Sequence, residues 1–532
     1  MKSPVDPRIA LASLVALSAL VAACSSGHAL APTPSAAFSE HRTGTSACIK
    51  GWSNASSPGV PFQVVDESGL TEKDADAFDL YVTVNNSTQY LDPSTGTLKT
   101  LTSTSIPPIP VAQMCPDFAL PPGVASRAYL SFGPLTVTDS PPNPKSPHDP
   151  DNGHLYDWME FGTPAGSVYN FQADMFGLPL QANMTDSAKN VYAFGYNHYF
   201  PIVDAMKADP WKELLVCGKA GTNHSQGCPS GEFIVRVQAP GTASAPGGTG
   251  FPPYWTDYDK VDYVTQVVGK EFDTAPSGSI VYVAYQISYP NPNSDPKGVV
   301  QGCGNFPSGS SGLPCPGYVA SYDAGTQSFV FTLASPVPAE WSPSPDQAFP
   351  KTVVLPVKTY FTDYDIWAQP APAFVPSTPS PGGGTPAPIS SLPMKEQVEF
   401  YLLKDMYVDL NRGVATTAGT VNDPSYHALL PLCMPTPVSP ACTATNYYKA
   451  DRLNEYAAVL HKNSVNIYDV TKSDPLPDEE PGTAYGFPYD DEWSQSSSVT
   501  PAKTVDCLQV RILPMAGEPA KAKEAPLPCY KK

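Results

Sequence analysis

The sequence predicts a mainly β protein: a β-sandwich or barrel domain with a mixed α/β lobe inserted into it. Three observations carry that expectation. The 63 prolines and 38 glycines in 532 residues exclude an all-helical chain. Short alternating apolar and polar runs recur between turn clusters as far as Leu180, the pattern of antiparallel strands. Helical spacing begins only beyond that point, and strand character returns at Val505 to Leu513.

The N-terminus reads as an address. Lys2 and Arg8 precede an apolar run from Ile9 to Val21, which suits a signal-peptide core and falls short of the ~20 residues of a membrane span. The run closes on Val21-Ala22-Ala23-Cys24, which resembles a bacterial lipobox, where the Cys thiol takes a diacylglycerol before cleavage. Residues 1–24 are therefore expected to be a lipoprotein signal peptide with lipidation at Cys24. Residues 25–46, rich in Ser, Ala and Pro, are expected to be a flexible tether. Acyl chains contribute about 0.8 kcal/mol per buried methylene, so membrane contact is expected through this anchor only. The location expected is extracytoplasmic, and Ser25 is compatible with sorting to an outer membrane.

Residues 47–184 form the first part of the expected β domain. Its strand-like runs are Phe62 to Val65, Ala77 to Val84, Arg127 to Phe132 and Leu155 to Phe161, with a Pro- and Asp-rich loop at Asp139 to Gly153. Residues 185–480 form the inserted α/β domain. Helices are expected at Asp186 to Met206 and at Asp257 to Phe272, where Val261, Val264 and Val268 share a face. Two more are expected, one carrying Val398, Leu402 and Met406 and stopping at Gly413, the other over Lys449 to Lys462. Strands are expected at Ser279 to Ile287, Ser328 to Leu333 and Val353 to Tyr360. Residues 368–392 read as a disordered Pro-rich loop, and 481–532 as the return to the β domain and a tail.

Lys and Arg total 31 against 50 Asp and Glu, and the net charge of -19 argues against nucleic acid or an anionic lipid surface as ligand. Neutral ligands such as glycans remain. Without Cys24, ten cysteines are left. Pairing by proximity gives Cys217-Cys228, Cys303-Cys315, Cys433-Cys442 and Cys507-Cys529, with Cys48-Cys115 remaining, although sequence alone leaves connectivity open. No CxxC pair, P-loop or Gly-X-Ser-X-Gly elbow occurs, so no metal and no cofactor is expected. Asp149 to Gly153 faintly resembles a calcium loop but has His154 where the central Gly belongs. A monomer is expected.

The informative stretch runs from Leu155 to Leu180, two strand-like segments around a turn at Gly162 to Ser167. Alternation puts Glu160 on one face with Trp158 and Tyr156, and Asp174 on one face with Gln172 and Asn170. Tyr169, Phe171 and Met175 then suit the core. A hairpin in register about residue 167 sets Glu160 opposite Asp174. Two carboxyls flanking a groove with room for one water, about 6.5–9.5 Å apart, are what an inverting glycosidase needs.

This stretch resembles the thaumatin-like signature: Glu160-Phe161, a turn, Tyr169, then Asp174 shortly before Phe176-Gly177-Leu178-Pro179. Further blocks resemble the endo-β-1,3-glucanases of glycoside hydrolase family 64. They are Ser126 to Gly133, Leu410 to Val414, Asn454 to His461, and Ala484-Tyr-Gly-Phe-Pro-Tyr-Asp-Asp491 followed by Gln495-Ser496-Ser497. The resemblance implies a thaumatin-like β domain and β-1,3-glucan as substrate. It also implies endo-cleavage with inversion, Glu160 being the general acid and Asp174 the general base. A general acid has to keep its proton near neutral pH, and an apolar ring such as Trp158 helps it do so. Tyr156, Trp158, Asn170, Gln172, Asp490 and Asp491 are the expected substrate contacts. The sequence departs from the family at Gly162, where Thr is usual, and in a shorter turn between Phe161 and Tyr169. Asn170 stands where plant thaumatin-like proteins carry an acid. The alternative reading is a glycan-binding surface lipoprotein without turnover. His461 and the Trp255, Tyr254 and Tyr258 group read more readily as packing than as site.

Overall fold

Alternation becomes sheet where the sequence displays it. Phe78–Val84 and Ser126–Phe132 pair antiparallel, from Phe78 opposite Phe132 to Thr83 opposite Arg127. That register sends Leu80, Val82, Ala128 and Leu130 into the main core and turns Tyr81 and Tyr129 to the other face. Tyr156–Phe161 adds to the far side of Ser126–Phe132, and Tyr169–Phe171 forms the edge beyond it. Gln89–Asp92, Thr97–Thr100 and Ile109–Pro110 complete a seven-stranded sheet.

A second seven-stranded sheet runs in the order Ile49–Gly51, Met114–Leu120, Val60–Asp66, Val505–Ile512, Leu180–Asp186, Val191–Tyr196 and Ser464–Ile467. The late strand Val505–Ile512 thus lies between two early ones, parallel to Val60–Asp66 and antiparallel to Leu180–Asp186. Its alternation explains the place: Leu508, Val510 and Ile512 enter the core, while Arg511 donates to Gln181 Oε1 at 2.8 Å and Glu67 Oε2 at 2.6 Å. Inner residues of both sheets, Phe62, Phe118 and Leu180 with Leu130 and Phe161 among them, share one continuous core. Each such side chain, fully buried, contributes about 1.5–3 kcal/mol. The Cys48–Cys115 disulfide joins the ends of two neighbouring strands in the second sheet.

Three further elements bear on the site. Met175–Phe176, Phe233–Gln238 and Leu215–Gly218 form a three-stranded sheet, and the Cys217–Cys228 disulfide closes the loop leaving it. Helix Met394–Arg412 ends where Gly413 takes φ 68°, a conformation that favours glycine. Asn454 caps helix Glu455–Lys462 through the Ala457 N–H and also donates from Nδ2 to Asn411 Oδ1 at 2.8 Å. Asn411 and Asn454 are both fully buried, so this bond ties the two helices together.

The computed structural model describes residues 48–54, 56–70, 78–162, 169–171, 174–196, 198–218, 228–245, 247–257, 261–274, 281–283, 288–290, 300–302, 317–334, 348–369, 392–413, 448, 452–467, 484, 486–487, 501 and 503–515. The expected signal peptide, Cys24, the tether, and most of the loop 368–392 lie outside these residues, as do Cys303, Cys315, Cys433, Cys442 and Cys529. Cys507 is disulfide-bonded. Among the described residues no helix is long and apolar enough to cross a membrane.

Several sequence expectations need correction. Asp186 to Met206 is not one helix: strands Leu180–Asp186 and Val191–Tyr196 come first, and helix Phe200–Ala205 is short. Val191–Tyr196 is buried at every position, so it lacks the alternation that marks a half-exposed strand. In Asp257 to Phe272, short strands Thr256–Asp257 and Val261–Asp262 precede a π-helical turn at Val264–Val268 and helix Gly269–Thr274. Val353 to Tyr360 divides into strand Thr352–Pro356 and helix Val357–Tyr360.

Candidate active site

Glu160 lies in a strand paired on both sides, opposite Arg127 and opposite Asn170. The Arg127 pairing is chemical as well as geometric: Arg127 Nε and Nη2 each lie 2.9 Å from Glu160 Oε1. Arg127 also donates from Nη1 to the Tyr129 hydroxyl at 3.4 Å, and its guanidinium carbon stands 5.3 Å from the Trp158 ring centroid. Burial works against the Arg127 charge, but Tyr129 and Glu160 outweigh it and raise the group above its ordinary value.

The hairpin register differs from the expected one. Glu160 stands opposite Asn170, not Asp174, because the pairs from Tyr169–Phe161 to Phe171–Met159 centre the hairpin on residue 165 rather than 167. The chain then leaves this sheet. Met175 and Phe176 pair instead with Gln238 and Val237. Asp174 is fixed at the start of that pairing, its carbonyl accepting from Ala239 N at 3.0 Å.

Asp174, Arg127 and Trp158 line one cleft of about 670 Å³. Its remaining wall is Thr136 and Thr138 with the Pro- and Asp-rich loop that follows, including Asp139, Asn143, Lys145 and Asp149. Strand Phe233–Gln238 holds that wall. Arg236 Nη2 donates to Asn152 Oδ1 at 2.6 Å, and Gln238 Nε2 to the Pro144 carbonyl at 2.5 Å. Both Asp151 oxygens accept from Thr136 N at 3.0 Å, and burial pushes the Asp151 carboxyl up. The strand that pairs with Met175–Phe176 therefore also carries the cleft wall.

The expected substrate contacts separate into three groups. Trp158 lines the cleft but is 1% exposed, and Tyr156 is 0% exposed. Leu135, Val137 and Met175 cover the face of the sheet that carries them, which is why the two rings stack in an interior cluster. Met175 belongs to this cluster rather than to the core on the opposite face. Asn170 is described only by its backbone, and Gln172, Asp490 and Asp491 lie outside the described residues. His461 is fully buried against Tyr448, and Trp255 is fully buried among Tyr254, Tyr263 and Trp367; Tyr258 lies outside the described residues. No cluster of metal-ligating side chains occurs among the described residues.

Sequence reasoning assigned no role to Arg127, Asp157, Arg236 or Gln238. The available signal was the same in each case, a charged or amide side chain inside an otherwise apolar strand. Asp157 is the most pronounced: flanked by Tyr156 and Trp158, it is 2% exposed and accepts three backbone N–H bonds.

A family model described as beta-1,3-glucanase, glycoside hydrolase family 64, matches residues 64–269. No curated protein matches the chain. Among solved structures, a laminaripentaose-producing beta-1,3-glucanase in complex with laminaritetraose superposes with a TM-score of 0.51 at 16% identity, over 86% of this chain and 99% of that one. A beta-1,3-glucanase domain from Clostridium beijerinckii gives 0.44 at 14% identity, over 85% of this chain and 98% of that one. The residues matched by the family 64 model, 64–269, include Arg127, Glu160 and Asp174.

Proposed function

We propose that this protein hydrolyses β-1,3-glucan as an endo-acting, inverting glycoside hydrolase on a thaumatin-like β domain with an inserted α/β lobe. Glu160 is the general acid and Asp174 the general base. The observation that carries the reading is convergence: Asp174 opens into the cleft that Arg127 and Trp158 share, and Arg127 grips Glu160. In the reaction Asp174 takes a proton from a water as that water attacks the anomeric carbon. The bond to the leaving sugar breaks, and Glu160 delivers a proton to its glycosidic oxygen. Both Arg127 bonds use Oε1 of Glu160, which orients the carboxyl and leaves Oε2 as the oxygen to carry the proton. Asp490, Asp491, Gln172 and Asn170 extend the groove in this proposal.

The test is incubation of the mature chain with laminarin, reading reducing ends and co-sedimentation together. Release of oligosaccharides supports the hydrolase. Co-sedimentation without release would leave a glycan-binding protein, and neither result would remove the glucan from the account. The proposal extends to location: Cys24 carries the lipid that holds the protein on an extracytoplasmic membrane face. Labelled palmitate should enter the wild-type chain and not Cys24→Ser.

A further inference from the structure

We propose that Asp157, on the face of its strand opposite Glu160, is the positioning residue that locks the Asp174 turn to the Glu160 strand. The inference rests on the reading that these two acids act together, and it begins from the path of the chain. Strand Tyr169–Phe171 pairs with Phe161, Glu160 and Met159. Residues 174–178 then cross beside Tyr156 and Asp157. Met175 packs with Tyr156 and Trp158 on the Glu160 face. Phe176 and Leu178 pack on the other face with Met159 and Phe161. The chain passes from one face to the other within four residues. It passes so close that a Cβ on Gly177 would stand 2.0 Å from the Tyr156 carbonyl oxygen.

A crossing of this kind strands backbone N–H groups in the interior, where an unpaired donor is costly. Asp157 meets the need. Its Oδ2 accepts from Gly177 N at 2.9 Å and Leu178 N at 3.2 Å, and its Oδ1 accepts from Trp158 N at 2.8 Å. One oxygen serves its own strand and the other serves the turn. A carboxyl buried this deeply is expensive to desolvate, and an apolar residue would cost less in a position that merely packs. The arrangement makes sense when the place of the turn matters. Asp174 is three residues before Gly177 and is held from its other side by Ala239. Glu160 is three residues after Asp157 along a paired strand, about 10 Å at ~3.3 Å per residue. One buried side chain thus joins the backbone frames of both acids without touching substrate.

The experiment compares Asp157→Asn and Asp157→Ala with the wild-type mature chain. It reads laminarin kinetics and amide exchange at Gly177 and Leu178. Asn keeps a single acceptor oxygen, so one of the two attachments weakens. The expected result is kcat about 10-fold lower with KM within about threefold, and faster exchange at one or both amides; a misplacement near 1 Å costs up to roughly 100-fold. Asp157→Ala should approach that larger loss, and if it does not fold, the Asn variant carries the test. Wild-type kcat in Asp157→Asn, whether or not its melting temperature falls, would overturn the inference, because a purely structural role lowers stability without separating kcat from KM. Asp174→Asn serves as control. Undiminished activity there sinks the catalytic reading itself, whereas exchange at Gly177 still reports whether Asp157 holds the turn.

Discussion

Glu160 and Asp174 are held in opposite ways. Glu160 takes its position from regular structure: a central register between Arg127 and Asn170, with a guanidinium fork on one oxygen. Asp174 sits outside any strand and takes its position from anchors around it. These are the Ala239 bond, the Met175–Phe176 pairing with Phe233–Gln238, and the Asp157 carboxyl that catches Gly177 and Leu178. Sheet register spreads a disturbance over many bonds. A turn held by a few side chains concentrates it. The Asp174 side should therefore be the more sensitive to single changes that never touch a ligand.

The largest effects test whether the two acids belong to one reaction. Asp174→Asn and Glu160→Gln should each lower kcat by roughly 10²–10⁴-fold with laminarin binding retained, the usual range for a lost acid or base. Initial rates and co-sedimentation of the two variants measure this. If one variant retains full activity, the comparison loses one of its members.

Next comes the turn itself. Gly177→Ala places a methyl against the Tyr156 carbonyl, and denaturant unfolding should show a loss of about 1–3 kcal/mol, the range for overpacking. A neutral result would mean that the turn moves aside easily and is not the fixed element described. On the Glu160 side, Arg127→Lys keeps the charge but not the fork that reaches Oε1 from two nitrogens. Its kcat should fall only about 10-fold, about 1.4 kcal/mol, with little change in stability.

The smallest step is in pH. Burial pushes the Asp157 carboxyl up to about 7, against the pull of Gly177, Trp158 and Leu178 N–H and of Arg236. The folded protein thus binds a proton there that the unfolded chain releases near its ordinary carboxylate value. The stability this contributes is fully present below that ordinary value and is lost as pH rises through about 7, at no more than about 1.4 kcal/mol per pH unit. Unfolding free energies of wild type and Asp157→Asn, measured from pH 4 to 8, should converge or cross as the wild type loses this contribution. Parallel curves would contradict the assignment.

The contrast also explains what the sequence made legible. Strands whose apolar and polar residues alternate announced themselves, and Ser328–Leu333 and Val505–Ile512 fall where the pattern lies, although the second is buried at every position but Asp506. Val191–Tyr196, buried on both faces, did not alternate and was read as helix. Glu160 was legible because its strand and its pairing are local. The anchors of Asp174 were not, since Arg236 and Gln238 meet the Asp139 to Gly153 loop across more than eighty residues, and nothing in a linear pattern encodes that approach. The hairpin register differs because the turn centres on residue 165 rather than 167, and Met175 and Phe176 then pair with a distant strand.

The most direct measurement is the anomeric configuration of the sugar first released from laminarin, followed by proton NMR before mutarotation equilibrates it. A base that activates water across the ring from the acid delivers the α-anomer from a β-linkage. The α-anomer appearing first, and its absence with Asp174→Asn, is the result expected. The β-anomer appearing first would mean a covalent, retaining route and would contradict the roles given to Glu160 and Asp174.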